Sequence, residues 1–325
     1  MKTGEDQLVR KIAKALASKG RRGLVLGAGD DAALLVPRSG YETILTCDWF
    51  LEGSHFLREK HPPESIGWKC LARAVSDIAA MGGEPKQFLL SLALPSTHTG
   101  RWLDRFLTGL ARAERLLGCQ VAGGDTTRND KILINVTVVG EIRRGRAVLR
   151  SGAKPGDLIF VSGRLGEAEL GWRLLRQGRT ARHRNSPCVR KHLYPEPRLA
   201  VGRWLAEKRL ATAMMDLSDG LSTDLPRLCA ASGVGARIDA DRIPKVQVRA
   251  GQNEGHVDVA KLALNGGDDY ELLFTVRPSE ARSVPRVFRG LPLSCIGEIR
   301  RERRLVLTGP GGREEALVPR GWDPF

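Results

Sequence analysis

The sequence predicts an α/β protein of two domains, and three features carry that expectation. At 325 residues the chain exceeds one typical hydrophobic core and suits two. Short apolar strand patterns alternate with helical spacings along its length. A turn-rich segment, Ser151-Gly152-Ala153-Lys154-Pro155-Gly156-Asp157, separates two such series. The expected division is therefore residues 1–150 and residues 151–325.

In the first domain, Leu8, Ile12, Ala15 and Leu16 fall on one face of a short helix. Leu24-Val25-Leu26-Gly27 leads into a turn at Asp30-Asp31, and Thr43-Ile44-Leu45-Thr46 reads as a strand ending at Asp48. Over residues 64–81 the spacing of Ile66, Leu71, Val75 and Ile78 is helical, and Gly82-Gly83 stops it. Asp77 lies late on that helix, off its most apolar stripe. Phe88-Leu89-Leu90-Ser91-Leu92-Ala93-Leu94 reads as a buried strand closed by Pro95. Trp102, Phe106, Leu110, Ala113 and Leu117 mark a second amphipathic helix, ended by Gly118. Val121-Ala122 runs into a Gly123-Gly124-Asp125 turn, and residues 132–142 alternate as a strand.

The second domain opens on the strand Leu158-Ile159-Phe160-Val161. Helices over residues 167–177 and 198–208 flank a basic stretch. After Asp216-Leu217-Ser218-Asp219-Gly220 the next helix should begin close to Ser222, because Pro226 is comfortable only in a first turn. Glu271-Leu272-Leu273-Phe274-Thr275-Val276 follows Gly266-Gly267-Asp268-Asp269 as a strand, and residues 296–299 and 305–307 add short ones. No internal repeat or long low-complexity tract interrupts the pattern.

Composition narrows the function classes. Hydrophobic residues make up 42% and charged residues 27%, as in soluble globular proteins. No apolar stretch approaches the ~20 residues that a membrane helix needs. Residues 1–22 lack the form of a secretory signal, so a cytoplasmic location is expected. Six cysteines without a Cys-x-x-Cys pair argue against zinc, an iron–sulfur cluster or a disulfide framework. The net charge of +15 invites a nucleic-acid reading. Its densest run is Arg173, Arg176, Arg179, Arg182, Arg184, Arg190 and Lys191. With no aromatic residues interleaved for base stacking, that run reads as a solvated basic face.

Seven short acidic motifs punctuate the chain: Gly29-Asp30-Asp31, Thr46-Cys47-Asp48, Ser76-Asp77, Gly123-Gly124-Asp125, Asp216-Leu217-Ser218-Asp219, Gly266-Gly267-Asp268-Asp269 and Gly321-Trp322-Asp323. Carboxylates with almost no thiol or imidazole beside them suit a hard cation, and magnesium is the usual one where phosphates are handled. The adjacent glycines let backbone approach phosphate oxygens. Each motif alone is weak, since a lone GDD or GGD is more often a turn or a helix cap.

Taken in order, GAGDDAALL (27–35), TCDWFLEGSHF (46–56), SDIAAMGGEPKQFLLSLALP (76–95), VAGGDTTR (121–128), RSGAKPGDLIFVSG (150–163), DLSDGLSTDL (216–225), NGGDDYELLFT (265–275) and GWDPF (321–325) closely resemble the bacterial thiamine-monophosphate kinase family. The resemblance spans residues 25–325. It implies an aminoimidazole-ribonucleotide synthetase-like architecture, with mixed sheets flanked by helices. The first domain would bind ATP and magnesium and pair into a homodimer, and the second would complete the active site. It implies ATP-dependent phosphorylation of thiamine monophosphate to thiamine diphosphate, with several magnesium ions. By that resemblance Asp30, Thr46, Cys47, Asp48, Asp77, Asp125, Asp216 and Asp219 would hold magnesium. Gly124, Arg150 and Ser218 would contact ATP, and His55, Asp268 and Trp322 thiamine monophosphate. Because the attacking oxygen already belongs to an ionised phosphate, no general base is required, and no side chain stands out as a covalent nucleophile.

Other readings of single residues stay open from sequence. Asp77 is spaced to pair with Arg73 on its helix, Asp31 suits a turn cap, His55 a packed loop and Trp322 terminal packing. Cys47, Asn265, Asp268 and Pro324 depart from the family pattern, which usually has Thr or Ser, Ser, Glu and His there. A hydroxyl ligand at Cys47 is therefore lost, although its backbone carbonyl could serve. Rival functions are another ATP-using enzyme of the superfamily, or a nucleotide-binding homologue with weak turnover. Selenophosphate synthesis calls for a reactive Cys before the GDD motif, and hydrogenase maturation for a Cys-bearing tail. This chain has neither feature.

Overall fold

The computed structural model describes residues 5–16, 23–27, 32–177, 186–248 and 257–323, which group into two units. One comprises Met1–Ile78 with Gly83–Gly145, and the other Ala79–Gly82 with Arg146–Phe325.

The first unit contains α1 (Glu5–Ala15), β1 (Leu24–Leu26), β2 (Leu34–Leu35), β3 (Tyr41–Leu51), α2 (Pro63–Ala80), β4 (Glu84–Leu94), α3 (Arg101–Leu117), β5 (Gln120–Arg128) and β6 (Leu133–Arg143). Strands β1 and β2 pair with each other, and the other four form a sheet in the order β3-β6-β4-β5. Strand β6 runs antiparallel to both β3 and β4, whereas β4 and β5 are parallel across the α3 crossover. Alternation along each strand gives the sheet two unlike faces. Ile44, Phe50, Phe88, Leu90, Leu92, Leu94, Val136 and Val138 are buried on one face, together with the apolar stripes of α2 and α3. Leu45, Trp49 and Leu89 stay exposed on the other.

The second unit contains β7 (Leu158–Ser162), α4 (Glu167–Arg176), α5 (Pro187–Leu193), α6 (Leu199–Glu207), β8 (Ala211–Leu217), α7 (Leu221–Ser232), β9 (Gly235–Asp239), α8 (Val259–Asn265), β10 (Glu271–Val276), β11 (Val287–Phe288), β12 (Leu291–Arg300), β13 (Leu305–Thr308) and β14 (Glu314–Ala316). Its sheet runs β14-β13-β9-β12-β7-β10-β8, with β11 beside β12. Only the β9–β13 pair is parallel. All six residues of β10 are buried, so both faces of the sheet are covered there. On one face Ile159, Val161, Met215, Leu217, Leu273 and Ile296 pack with Leu221, Leu225 and Leu228 of α7. A second cluster joins α4, α5 and α8 through Leu170, Leu174, Val189, Leu193 and Leu262.

Several sequence expectations need correction. Strand β3 runs through Asp48 to Leu51 instead of ending there. Gly123-Gly124-Asp125 lies inside β5 and is not a turn. A Cβ on Gly124 would sit 1.9 Å from the Leu90 carbonyl oxygen, so a close strand approach explains that glycine. Helix α7 does start near Ser222, but Pro226 lies within its body, so the first-turn argument fails. Within the basic stretch, α5 was not foreseen, and Lys191 on it is half-buried in ion pairs and not a solvated surface charge. Arg176 lies 5.6 Å over the ring of Trp172, which precedes the stretch. Arg179, Arg182 and Arg184 fall outside the described residues, as do Asp30, Asp31 and Pro324.

All six cysteines are free. Burial pushes the thiols of Cys70 and Cys229 up to about 12, which leaves them unreactive at neutral pH. Among the described residues no helix is long and apolar enough to cross a membrane.

Candidate active site

Site residues gather in each unit. In the first, α2 packs on the covered face of β3, and this sets Asp77 opposite Thr46. The Thr46 hydroxyl donates to the Asp77 carboxylate. Two residues along the strand, on the same face, Asp48 lies 4.0 Å from the Arg73 guanidinium. Arg73 itself rests 5.2 Å over the Phe50 ring. Thr46, Asp48 and Asp77 are thus brought together by one helix-on-sheet contact, with a cation beside them.

Cys47 does not join them. Strand alternation turns its side chain to the open face, where Asn135 Nδ2 donates to its Sγ at 3.1 Å. Asp125, on β5 at the opposite edge of the sheet, is also on the open face, paired with Ser91 of β4. Three strand spacings, about 14 Å, separate β3 from β5. Asp125 lines a cleft of about 710 Å³ with Leu89, Ser91, Gly123, Gly124 and, from α1, Ile12. His55 sits in the loop after β3, where the Leu51 N–H donates to its Nδ1 at 3.0 Å. That bond places the proton of a neutral His55 ring on Nε2.

The second unit assembles five of the expected residues at one end of β8 and β10. Asp216 is buried at the end of β8, in register with Leu272. The chain then turns through Ser218, Asp219 and Gly220 into α7. The Asp268 N–H donates to the Ser218 carbonyl at 2.8 Å, and the Trp322 N–H to the Asp219 carbonyl at 2.9 Å. Segments some 50 and 100 residues downstream are thereby fastened to one loop. A Cβ on Gly321 would meet the Asp219 carbonyl oxygen at 2.0 Å, so only glycine permits that approach. Asn265, one of the departures, accepts from the Ser222 hydroxyl at 2.8 Å and ties α8 to α7. Arg150 is exposed beside the first half of β8, away from the Asp216 end; its carbonyl accepts from Ser232 Oγ at 3.0 Å.

Several supporting residues were not foreseen. Asp224 is fully buried and accepts from the N–H groups of Asp219 (3.0 Å) and Gly220 (3.1 Å), which fixes the loop ahead of α7. Burial pushes its pKa up to about 6. Arg227 donates to Asp224 at 2.9 Å and also to the Asp219 carboxylate. Asp224 lies four residues past the N-cap Gly220 and accepts from N–H groups ahead of the helix, so no N-cap spacing marks it in the sequence. Behind Asp268, Asp269 caps α4 by accepting from Gly166 (2.5 Å) and Ala168 (3.0 Å). Glu271 accepts from Lys191 (2.7 Å), Arg198 (2.5 Å) and Ser162 (2.6 Å). Burial alone would raise the pKa of Glu271, but Lys191 and Arg198 outweigh it and hold the group at about 2.

The donor chemistry fits magnesium. Both clusters offer carboxylate and hydroxyl oxygens, the ligands of a hard cation. Among the described residues no three His, Cys, Asp or Glu form a ready cage. Magnesium characteristically takes one or two carboxylates and completes its shell with water and substrate phosphates, so paired carboxylates suffice.

Comparison with known proteins gives the family of the chain. The model of the AIR synthase related protein N-terminal domain matches residues 29–142, and that of the C-terminal domain residues 154–309. A thiamine-monophosphate kinase of Bacillus subtilis (strain 168) is 36% identical over 92% of this chain and 93% of its own. The crystal structure of thiamine-monophosphate kinase from Stenotrophomonas maltophilia K279a superimposes with a TM-score of 0.83 at 35% identity, covering 96% of this chain and 98% of that one. The structure of AaThiL complexed with AMPPCP and TMP gives a TM-score of 0.77 at 34% identity over 99% of this chain and 97% of its own. The chain belongs to the thiamine-monophosphate kinase family of AIR synthase related proteins.

Proposed function

We propose that this chain is a thiamine-phosphate kinase that transfers the γ-phosphoryl group of ATP to the phosphate of thiamine monophosphate, giving thiamine diphosphate and ADP. The observation that carries this reading is the gathering of Asp216, Ser218, Asp219, Asp268 and Trp322 around one loop, in a chain whose relatives bear that name. The AaThiL neighbour was solved with AMPPCP, an ATP analogue, and TMP, which supports the same pair of substrates.

Donor and acceptor are both anionic, so their approach for in-line transfer is opposed until cations neutralise them. Bound magnesium ions would supply that neutralisation. Thr46, Asp48 and Asp77 would hold one ion position, Asp216 and Asp219 another, and Asp125 a third, with Asp30 and the Cys47 carbonyl completing the set. Asp125 and Asp48 serve separate ions, because opposite sheet edges hold them. Gly124, Arg150 and Ser218 orient ATP. His55, Asp268 and Trp322 orient the acceptor, whose planar rings suit an exposed indole. No proton needs to be removed from the attacking oxygen, so positioning and charge neutralisation supply the rate.

We further infer a cytoplasmic homodimer formed through the first domain. The exposed Leu45, Trp49 and Leu89 on the open face of its sheet support that contact. The test is direct: purified protein with ATP, magnesium and thiamine monophosphate, with thiamine diphosphate quantified by chromatography. Product formation that depends on both substrates supports the proposal. A blank, alongside an active relative run in parallel, overturns it.

A further inference from the structure

Three carboxylates fall within four consecutive residues, Asp268, Asp269 and Glu271, and the fold sends them to different places. Asp269 caps α4, and Glu271 is sealed against Lys191 and Arg198. Only Asp268 remains partly open. Its backbone lies in the left-handed region at φ 66, and Tyr270 follows at φ 50. That double reversal turns the Tyr270 ring back, so its hydroxyl donates to Asp268 Oδ1 at 2.8 Å. Tyr270 is 2% exposed, and its own N–H is tied to the Leu217 carbonyl at 2.9 Å.

The second carboxylate oxygen meets another fixed group. His192 Nδ1 on α5 lies 3.9 Å from Asp268 Oδ2, and its ring stacks on Trp172 of α4 at 5.4 Å. Its neighbour Lys191 is locked to Glu271 at 2.7 Å and to the Arg164 carbonyl at 3.0 Å, so α5 cannot rotate His192 away. One buried hydroxyl and one buried imidazole thus bracket a carboxylate whose main chain hangs on the Ser218 carbonyl.

We infer that Tyr270 and His192 are positioning residues that hold Asp268 to one orientation and thereby set recognition of the acceptor's ring system. The reading rests on the kinase assignment above. Trp322 leaves the next carbonyl of the same loop, Asp219, with its indole 45% exposed. An exposed indole and an oriented carboxylate on one short turn suit a planar organic cation or an N–H-bearing ring joined to a phosphate. Thiamine monophosphate has both features. A carboxylate free to rotate would lose that directional contact while leaving nucleotide binding intact.

Steady-state kinetics on the full chain test this with wild type, Tyr270→Phe, His192→Gln, Asp268→Ala and the Tyr270→Phe/Asp268→Ala pair. Loss of a hydrogen bond to a charged group should raise KM for thiamine monophosphate about tenfold in Tyr270→Phe, with KM for ATP unchanged. His192→Gln should raise the same KM by about threefold, a weaker effect because its 3.9 Å approach to Asp268 is longer than a hydrogen bond. In the double variant Tyr270→Phe should add nothing to Asp268→Ala, since the group it orients is gone. Unchanged acceptor KM in both single variants, equal rises in the two substrates' KM values, or fully additive effects would overturn the positioning role. A wild type that turns over no thiamine monophosphate would instead remove the kinase reading, and this inference with it.

Discussion

Asp219 and Asp224 lie five residues apart, share one arginine and have opposite fates. Asp224 is fully enclosed, with Oδ2 accepting from the backbone of the loop and Oδ1 from Arg227, whereas Asp219 keeps partial access to solvent beside its Arg227 partner, as the proposed metal role requires. Burial decides what each is worth. Asp224→Ala would strand the N–H groups of Asp219 and Gly220, at a cost of about 3 kcal/mol. Arg227 is 43% exposed, and its pairings are screened, so Arg227→Ala should cost less than about 1 kcal/mol. Urea denaturation of the two variants checks this order; equal losses would contradict it. Asp219 could be picked out from sequence because it sits in DLSDG. Asp224 was hidden in the same motif, since a carboxylate that serves backbone amides looks no different in sequence from one that serves an ion. Cys47 shows the converse limit: its position next to Asp48 does not bring the thiol to the site, because adjacent strand residues face opposite ways.

Strand β10 and helix α5 form the element that carries the second unit's site, and their junction is the Glu271–Lys191–Arg198 cluster. The pKa of Glu271 drops from 4.5 to about 2 on folding, so this group favours the folded state above its unfolded pKa. That contribution is complete above pH 4.5 and disappears as pH falls toward about 2. Wild type should therefore lose thermal stability across that window, and Glu271→Gln should lose correspondingly less there. At neutral pH the same variant removes the buried carboxylate that Lys191 and Arg198 share, and should be destabilised by about 3 kcal/mol, with Glu167 and Asp269 still facing Lys191 and Glu196 facing Arg198. Melting curves from pH 2 to pH 7 check both signs, and parallel profiles for the two proteins would refute the assignment. Periodicity revealed α2, α3 and β10 because their apolar residues repeat cleanly. It missed β8, where Ala211-Thr212-Ala213-Met214-Met215 offers almost no β-branched residues, and α5, whose ion-paired Lys191 reads as surface. Strand β5 was read as a turn because paired glycines usually make one; here they let two backbones close.

Across the whole molecule, the two-part division and the DLSDG, GGDD and GWD segments could be read from sequence, whereas the separation of Asp48 from Asp125 required strand order and register. Neighbours in a sheet need not be neighbours in sequence, and a single chain holds these two carboxylates at opposite edges. The open face of the same sheet exposes Trp49 by 55% and Leu45 by 69%. Trp49→Asp should shift the protein from dimer to monomer in light scattering after gel filtration, and an unchanged mass would argue that another surface pairs the chains. The central claim is that aspartates of this chain hold magnesium ions against two phosphate-bearing substrates. Calorimetric titration of magnesium into the protein with a nonhydrolysable ATP analogue tests it most directly, in wild type, Asp77→Asn and Asp219→Asn. The account predicts saturable binding weakened about tenfold or more in each variant, as a lost charged ligand requires. Magnesium affinity identical in all three proteins would contradict it.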